Sequence, residues 1–221
     1  MRVVIAGGHG QIALRLARLL AGRGTEVDAL VRSPGQGPDV EAAGARPVVF
    51  DLERDDADAA AKVLQGADAA VFAAGAGAGS GPHRKYSVDL RGSVLLASAA
   101  ERTGVRRFLQ ISTMGAGRAP APGSDESWAA YLDAKTKAED DLRGRDLDYT
   151  IVRPGSLTDG AGTGLVELAA PPLGRGSVPR QDVAAVLALL LAAPAGFGMT
   201  LELRSGAIPV ADAVASLPTS A

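Results

Sequence analysis

The 221 residues predict an α/β fold: a doubly wound, mainly parallel sheet with helices on both faces. Three observations carry this. Short apolar runs, of the kind buried on both faces of a sheet, alternate with stretches of helical periodicity. The first run leads at once into a glycine-dense turn and a helix. Hydrophobic residues make up 47% of the chain, enough for a full core, and no repeat or linker divides it. One domain is expected over 1–221, with a small substrate-side region in roughly 155–221.

The elements follow in order. Val3–Ala6 is a continuous apolar strand. Gln11–Ala21 is a helix with Ile12, Leu16, Leu19 and Leu20 on one stripe, closed by Gly22. Glu26–Val31 is the second strand, and Ser33–Pro38 is a loop by composition. Pro47–Phe50 is the third strand. Asp56–Gln65 is a helix with acidic residues at its start, where the helix dipole favours them. Asp68–Ala73 is the fourth strand, followed by a glycine-dense loop, Gly75–Gly81. A long helix runs roughly from Tyr86 to Arg102 and ends at Gly104. Arg107–Ser112 is the fifth strand, Gly115–Gly123 a loop, and Ser127–Arg143 a helix. Tyr149–Arg153 is the sixth strand, stopped by Pro154-Gly155. Beyond it come a short strand near Ser177, a helix Gln181–Leu191 and a strand Thr200–Leu203. A last helix starts at Pro209, with Val210, Ala213, Val214 and Leu217 at helical spacing. Strand–helix alternation implies right-handed crossovers, and ligands of such sheets bind outside the carboxyl ends of the strands.

Composition excludes several chemistries. With no Cys there is no disulfide framework and no thiolate nucleophile. The two histidines, His9 and His83, lie far apart without ligand spacing, so no metal site is expected. A net charge of −2 gives no footprint for nucleic acid. The longest apolar run, Val183–Ala193, is well short of the ~20 residues a bilayer needs, and no signal peptide is evident. A soluble cytoplasmic protein, monomer or homodimer, acting on a small molecule is expected.

After the first strand comes Gly7-Gly8-His9-Gly10-Gln11-Ile12-Ala13. It fits both G-x-G-x-x-A and G-x-x-G-x-x-A. Small residues let the backbone turn tightly against a pyrophosphate, which then sits on the helix N-terminus. The match lies between a strand and a helix, which is the context a Rossmann-type dinucleotide site requires. His9 is expected at the loop tip, offering its N–H. At the end of the second strand an acid would bind the ribose of NAD, whereas Arg32 and Ser33 suit the 2′-phosphate of NADP. Asp28 lies too early in the strand for the ribose. NADP(H) is the expected cofactor, with NAD(H) the alternative. Asp51-Leu52 after the third strand is placed to meet the adenine edge, and Ala73-Ala74-Gly75 after the fourth leaves room for the adenine ribose.

A catalytic set is expected beyond the fifth strand. Tyr131 and Lys135 are spaced i,i+4, on one face of their helix. An ammonium beside a phenol favours phenolate. A hydroxyl from the end of strand five, Ser112 or Thr113, is available to orient a substrate carbonyl. The opposing readings are that Tyr131 packs and that Lys135 pairs with Glu139. Trp128 is expected to anchor its helix more than flank a pocket. The pocket walls are expected from 76–82, 115–128 and 158–172.

With these residues in view, the chain resembles an atypical short-chain dehydrogenase/reductase, of the small NAD(P)H-binding kind similar to NmrA-like proteins and biliverdin IX-beta reductase. The resemblance rests on Gly7–Ala13, Val31-Arg32-Ser33, Ile111–Ala116, Tyr131–Lys135, Asp148–Gly155 and Pro179–Ala184. It implies that Thr113 stands at the catalytic Ser/Thr position, with Ser112 just before it. It implies that Tyr131 and Lys135 are the Tyr and Lys of Y-x-x-x-K, with Lys135 on the nicotinamide ribose. Pro154, Gly155, Ser156 and Leu157 would border the nicotinamide. Asp89 departs from the Asn that many members use in a proton relay. The activity implied is NADPH-dependent reduction of a carbonyl, quinone, flavin or similar acceptor. The alternative is a non-catalytic NADP(H) sensor. A nucleotide-sugar epimerase or dehydratase is disfavoured by Arg32 and by the short stretch after Gly155.

Overall fold

The computed structural model describes residues 1–77 and 79–219; Ala78, inside the loop 75–81, and residues 220–221 lie outside the described residues. In β1 (Arg2–Ala6), Val3 and Ile5 enter one core while Val4 and Ala6 enter another. This two-residue alternation explains the unbroken apolar run, because both faces of the strand are covered. α1 (Gln11–Ala21) buries Ile12, Ala13, Leu16, Ala17 and Leu20 on the first face.

β2 (Glu26–Val31) leads through a 3-10 turn (Pro34–Gln36) into α2 (Gly37–Ala42) and then β3 (Arg46–Val49). Here the structure departs from the loop expected over Ser33–Pro38. Proline is tolerated in a first helical turn, where its missing N–H costs nothing, and Val40 is fully buried by the helix that results. α3 (Ala57–Leu64) begins on an Asp56 carboxylate that accepts from the N–H groups of Asp58 and Ala59. β4 (Ala69–Phe72) is fully buried. The long helix starts earlier than expected. It runs as α4 (Pro82–Arg84), a π segment (Lys85–Arg91) and α5 (Gly92–Thr103), ending on the left-handed Gly104. The π segment buries Lys85, Val88 and Asp89 together.

β5 (Arg107–Ile111), α6 (Glu126–Arg143) and β6 (Asp148–Pro154) follow, with Asp125 capping α6. β7 (Ser156–Thr158) pairs with β9 (Ser177–Pro179) in a separate two-stranded sheet. Between them lies β8 (Leu165–Ala169), inside the stretch 158–172 expected as a pocket wall. α7 (Arg180–Ala192), β10 (Met199–Ser205), β11 (Ile208–Pro209) and α8 (Val210–Ala215) complete the order.

The main sheet runs β11-β8-β10-β6-β5-β4-β1-β2-β3. From β10 to β3 every pairing is parallel, whereas β8 and β11 add antiparallel ladders at one edge. α1, α7 and α8 pack on one face, and α3, α5 and α6 on the other. The strand order reverses between β1 and β4, opening a crevice at their carboxyl ends. Asp28, buried in β2, receives Arg2 at 2.9 Å and Arg46 at 2.6 Å. Burial alone would raise its carboxyl pKa, but the two guanidiniums outweigh burial and hold it below the usual range. Its acid is therefore used inside the fold. Among the described residues, no helix is long and apolar enough to cross a membrane.

Candidate active site

The turn after β1 is shaped by two close backbone approaches. Gly7 has φ +77°, and a Cβ on it would lie 2.6 Å from Ala74 Cα. A Cβ on Gly8 would lie 2.5 Å from the Ala29 methyl. Gly8 N–H donates to Leu30 and Gly10 N–H to Gly7, which closes the turn. α1 then opens with no side chain capping it. Its first N–H groups have no carbonyl partner within the helix and face the crevice with the positive end of the dipole. A pyrophosphate fits this cradle on sterics and charge alike.

A cavity of about 300 Å³ extends from the cradle. Gly7, His9, Gly10, Arg32, Asp51, Leu52, Ala73, Ala74 and Gly75 line it. These come from the ends of β1, β2, β3 and β4, the path expected for an adenosine diphosphate moiety. His9 is tied by its ring to Asp39 of α2 at 2.7 Å. Arg32 is exposed, and its backbone N–H donates to the Gln36 side chain at 3.0 Å. Sequence reasoning missed Gln36, Phe50, Glu53, Arg84 and Val88, which also line it. Arg84 binds Glu53 at 2.8 Å, and Ser87 donates to the same carboxylate at 2.6 Å. Hydrogen bonds from Arg84 and Ser87 outweigh burial and hold the Glu53 carboxyl below its usual range. The two partners come from segments 31 and 34 residues away, a separation no local pattern encodes.

A second cavity, about 750 Å³, lies beyond the end of β5. It gathers Ser112, Thr113, Tyr131, Pro154, Gly155, Ser156 and Leu157. Trp128 lines it too, 46% exposed, with its ring 5.4 Å from that of Tyr131. The tryptophan therefore flanks the pocket, which corrects the expectation of a helix anchor. The third wall is also corrected: it comes from residues 174–176, not 158–172. The middle of 158–172 is committed to β8, which pairs with β10 at the sheet edge. The wall expected from 76–82 is corrected as well: none of its described residues lines this cavity, and Ala76 lines the first one.

The catalytic candidates differ in what their side chains bind. Tyr86 donates to Asp133 at 2.8 Å, and this bond raises its phenol pKa, so it is engaged elsewhere. Tyr131 faces the second cavity, and its hydroxyl has no hydrogen-bond partner among the described residues. Thr113 is half-buried beside the cavity, with one long contact of 3.4 Å to the next carbonyl. Ser112 is different: its hydroxyl donates to Glu139 at 2.5 Å inside the core. Glu139 also binds Arg153 and Arg143, and not Lys135. Lys135 lines neither cavity. Its Nζ is buried, 3.1 Å from Asp89 and 3.1 Å from the Ile111 carbonyl, with the Tyr131 ring centroid at 5.8 Å. Asp89, fully buried, accepts also from Ala76 N–H at 3.0 Å. Gln11, Ile12 and Ser33 likewise lie outside both linings. Ile12 belongs to the core beneath α1. Gln11 and Ser33 are exposed beside the helix starts. No group of His, Asp and Glu among the described residues is arranged to hold a metal.

Residues 7–194 match the NAD(P)H-binding family. The chain belongs to that family. A Bacillus subtilis protein described as an uncharacterized sugar epimerase is 35% identical over 218 residues, covering 98% of this chain and all of that one. A Bacillus halodurans structure, provisionally described as an NAD-dependent epimerase/dehydratase, is 36% identical with TM-score 0.90, covering 98% and 100%. The Escherichia coli O157:H7 protein ChuY, described as an anaerobilin reductase, is 26% identical with TM-score 0.77, covering 93% and 97%. The resemblance to atypical short-chain dehydrogenase/reductases is thereby borne out, and the fold is a Rossmann fold as the glycine turn predicts.

Proposed function

We propose that this NAD(P)H-binding protein is an NADPH-dependent reductase of a small carbonyl, quinone, flavin or similar conjugated acceptor. The observation that supports it is the adjacency of two cavities on successive strand ends. The first has the dinucleotide cradle, and the second holds an unengaged phenol and a hydroxyl whose one contact is long, 3.4 Å. NADPH would supply the hydride from its nicotinamide ring. Tyr131 then donates its hydroxyl proton to the product oxygen when the acceptor is a carbonyl. Thr113 donates a hydrogen bond to that oxygen beforehand, orienting it. Lys135 acts from behind the phenol, its charge balanced by Asp89, and its Nζ braces the ends of β4 and β5 through the Ala74 and Ile111 carbonyls. Pro154–Leu157 close the far side of the ring site. With a quinone or flavin acceptor, positioning suffices and Tyr131 is dispensable.

Arg32 supports NADP over NAD. Its exposed guanidinium lines the end of the first cavity, and the nearest strand acid, Asp28, is used up by Arg2 and Arg46. The same residue disfavours an epimerase or dehydratase role with tightly held NAD. The reading places the protein in the cytoplasm as a monomer or homodimer. The test is NADPH oxidation against an acceptor panel, with NADH in parallel. Arg32→Gln is expected to raise the NADPH KM about tenfold and leave NADH unchanged. Tight NADPH binding without turnover on any acceptor would sink the reductase reading.

A second reading, a non-catalytic NADP(H) sensor, is favoured by one observation. The Lys135 ammonium is buried and paired with Asp89 instead of lining a cavity. Turnover that collapses in Tyr131→Phe would exclude a pure sensor.

A further inference from the structure

The second cavity is electrostatically unlike the chain that forms it. The protein carries 23 basic and 25 acidic residues, yet Arg118, Arg175 and Arg180 line this cavity against the single acid Glu202. Most arginines around it are neutralised. Arg180 is held by Asp159 at 2.7 Å, Arg204 by Glu167 at 2.7 Å, and Arg153 by Glu139. Two are not. Arg175 forms no ion pair among the described residues. Arg118 reaches Glu202 only at 3.6 Å, beyond hydrogen-bond distance, and is 56% exposed. Glu202 is buried, and its other oxygen accepts the Leu173 N–H at 2.6 Å. Arg118 thus leans on a fixed carboxylate without being consumed by it. Neither guanidinium donates a side-chain hydrogen bond to any described residue. Each offers about five N–H donors in a planar fork matched to an oxyanion.

The two arginines sit on different loops, one between β5 and α6 and the other between β8 and β9. Trp128 and Tyr131 supply an aromatic wall in the same cavity. We propose that the acceptor is a conjugated molecule bearing an oxyanion, a carboxylate or a phosphate, which Arg118 and Arg175 grip across the cavity mouth. This rests on the reductase reading of the same site and names its substrate class. The pair also steers anionic acceptors inward, an effect that weakens with salt.

The experiment uses calorimetry on protein saturated with NADP⁺, so that binding is read without turnover. One arm compares 4-carboxybenzaldehyde with benzaldehyde, and the other compares FMN with riboflavin. These distinguish a carboxylate from a phosphate as the recognised group. The anionic member of at least one pair is expected to bind about tenfold tighter. That preference should shrink with added salt, drop several-fold in Arg118→Gln or Arg175→Gln, and vanish in the double variant. Both side chains are exposed, and a melting curve checks that the variants fold. Equal affinities within both pairs, a preference that survives the double variant, or no binding of either anionic probe would overturn the proposal. No turnover across the NADPH acceptor panel, beside an intact calorimetric preference, would sink the reductase reading alone.

Discussion

The cradle after β1 and the cavity after β5 open at the same end of the same sheet, but they are made of different material. The cradle is backbone: three glycines, an uncapped helix start and small residues at strand ends. Its specificity lies in what is absent, because any Cβ at Gly7 or Gly8 would collide with Ala74 or Ala29. The second cavity is side chain: a phenol, a hydroxyl, an indole and guanidiniums brought in from loops. A backbone site tolerates almost no substitution, since every residue type adds atoms. A side-chain site loses one function at a time. One sheet can thus keep its cofactor while changing its acceptor.

The largest break in this contrast is expected at Gly7. Gly7→Ala adds a methyl at a positive φ and against Ala74, so NADPH affinity should fall more than about 100-fold. Fluorescence titration of NADPH measures it, and near-normal affinity would refute the steric account. Next is Tyr131→Phe, on the side-chain half. With a carbonyl acceptor kcat should drop about 10²–10⁴-fold, with NADPH Kd changed less than about twofold. Steady-state kinetics beside the same titration separates the two halves.

Asp28 sharpens the comparison from outside both cavities. Its folded pKa is depressed, so its stabilisation is complete above the unfolded value near 3.8 and is lost as pH falls through the lower folded value. Asp28→Asn should cost about 1.5–3 kcal/mol at neutral pH and flatten the acid limb of a pH–stability profile. NADPH affinity should not move. An unchanged acid limb would show that the two arginines do not hold this carboxylate. The smallest effect is expected from Ser112→Ala, about 1 kcal/mol by denaturant melts, with kcat within about threefold of the parent. Thr113→Val should instead lower kcat about tenfold, because of these two neighbours only Thr113 has a hydroxyl available to the cavity. Equal losses at the two positions would erase the distinction.

The split between the halves also governs what could be read in advance. The cradle was legible because its requirement is local: seven consecutive residues between a strand and a helix. That Arg32, Asp51 and Ala73–Gly75 gather around one cavity was legible for the same reason, each lying at a strand end. Arg84 and Glu53 were not, since they meet only when α4 folds over the end of β3. Tyr131 and Lys135 share a helix face as their spacing requires. Spacing cannot report that Lys135 turns inward to Asp89, because Asp89 arrives on a separate helix. Ser112 and Thr113 are neighbours with equivalent hydroxyls on paper. Just past β5 the chain stays extended, with Ser112 N–H donating to Val152 and Met114 N–H to Pro154, and alternation there sends one hydroxyl to Glu139 and leaves the other beside the cavity.

The sequence by itself determined the alternating architecture, the parallel sheet and the dinucleotide turn. All three depend on periodicity and on residues adjacent in the chain. The tertiary structure alone decided which hydroxyl is available, how Lys135 is balanced and which guanidiniums keep their donors free. Those depend on charges and donors from distant segments meeting in a medium of low dielectric. There a partner a few ångströms away settles whether a group is consumed by the fold or left for a ligand.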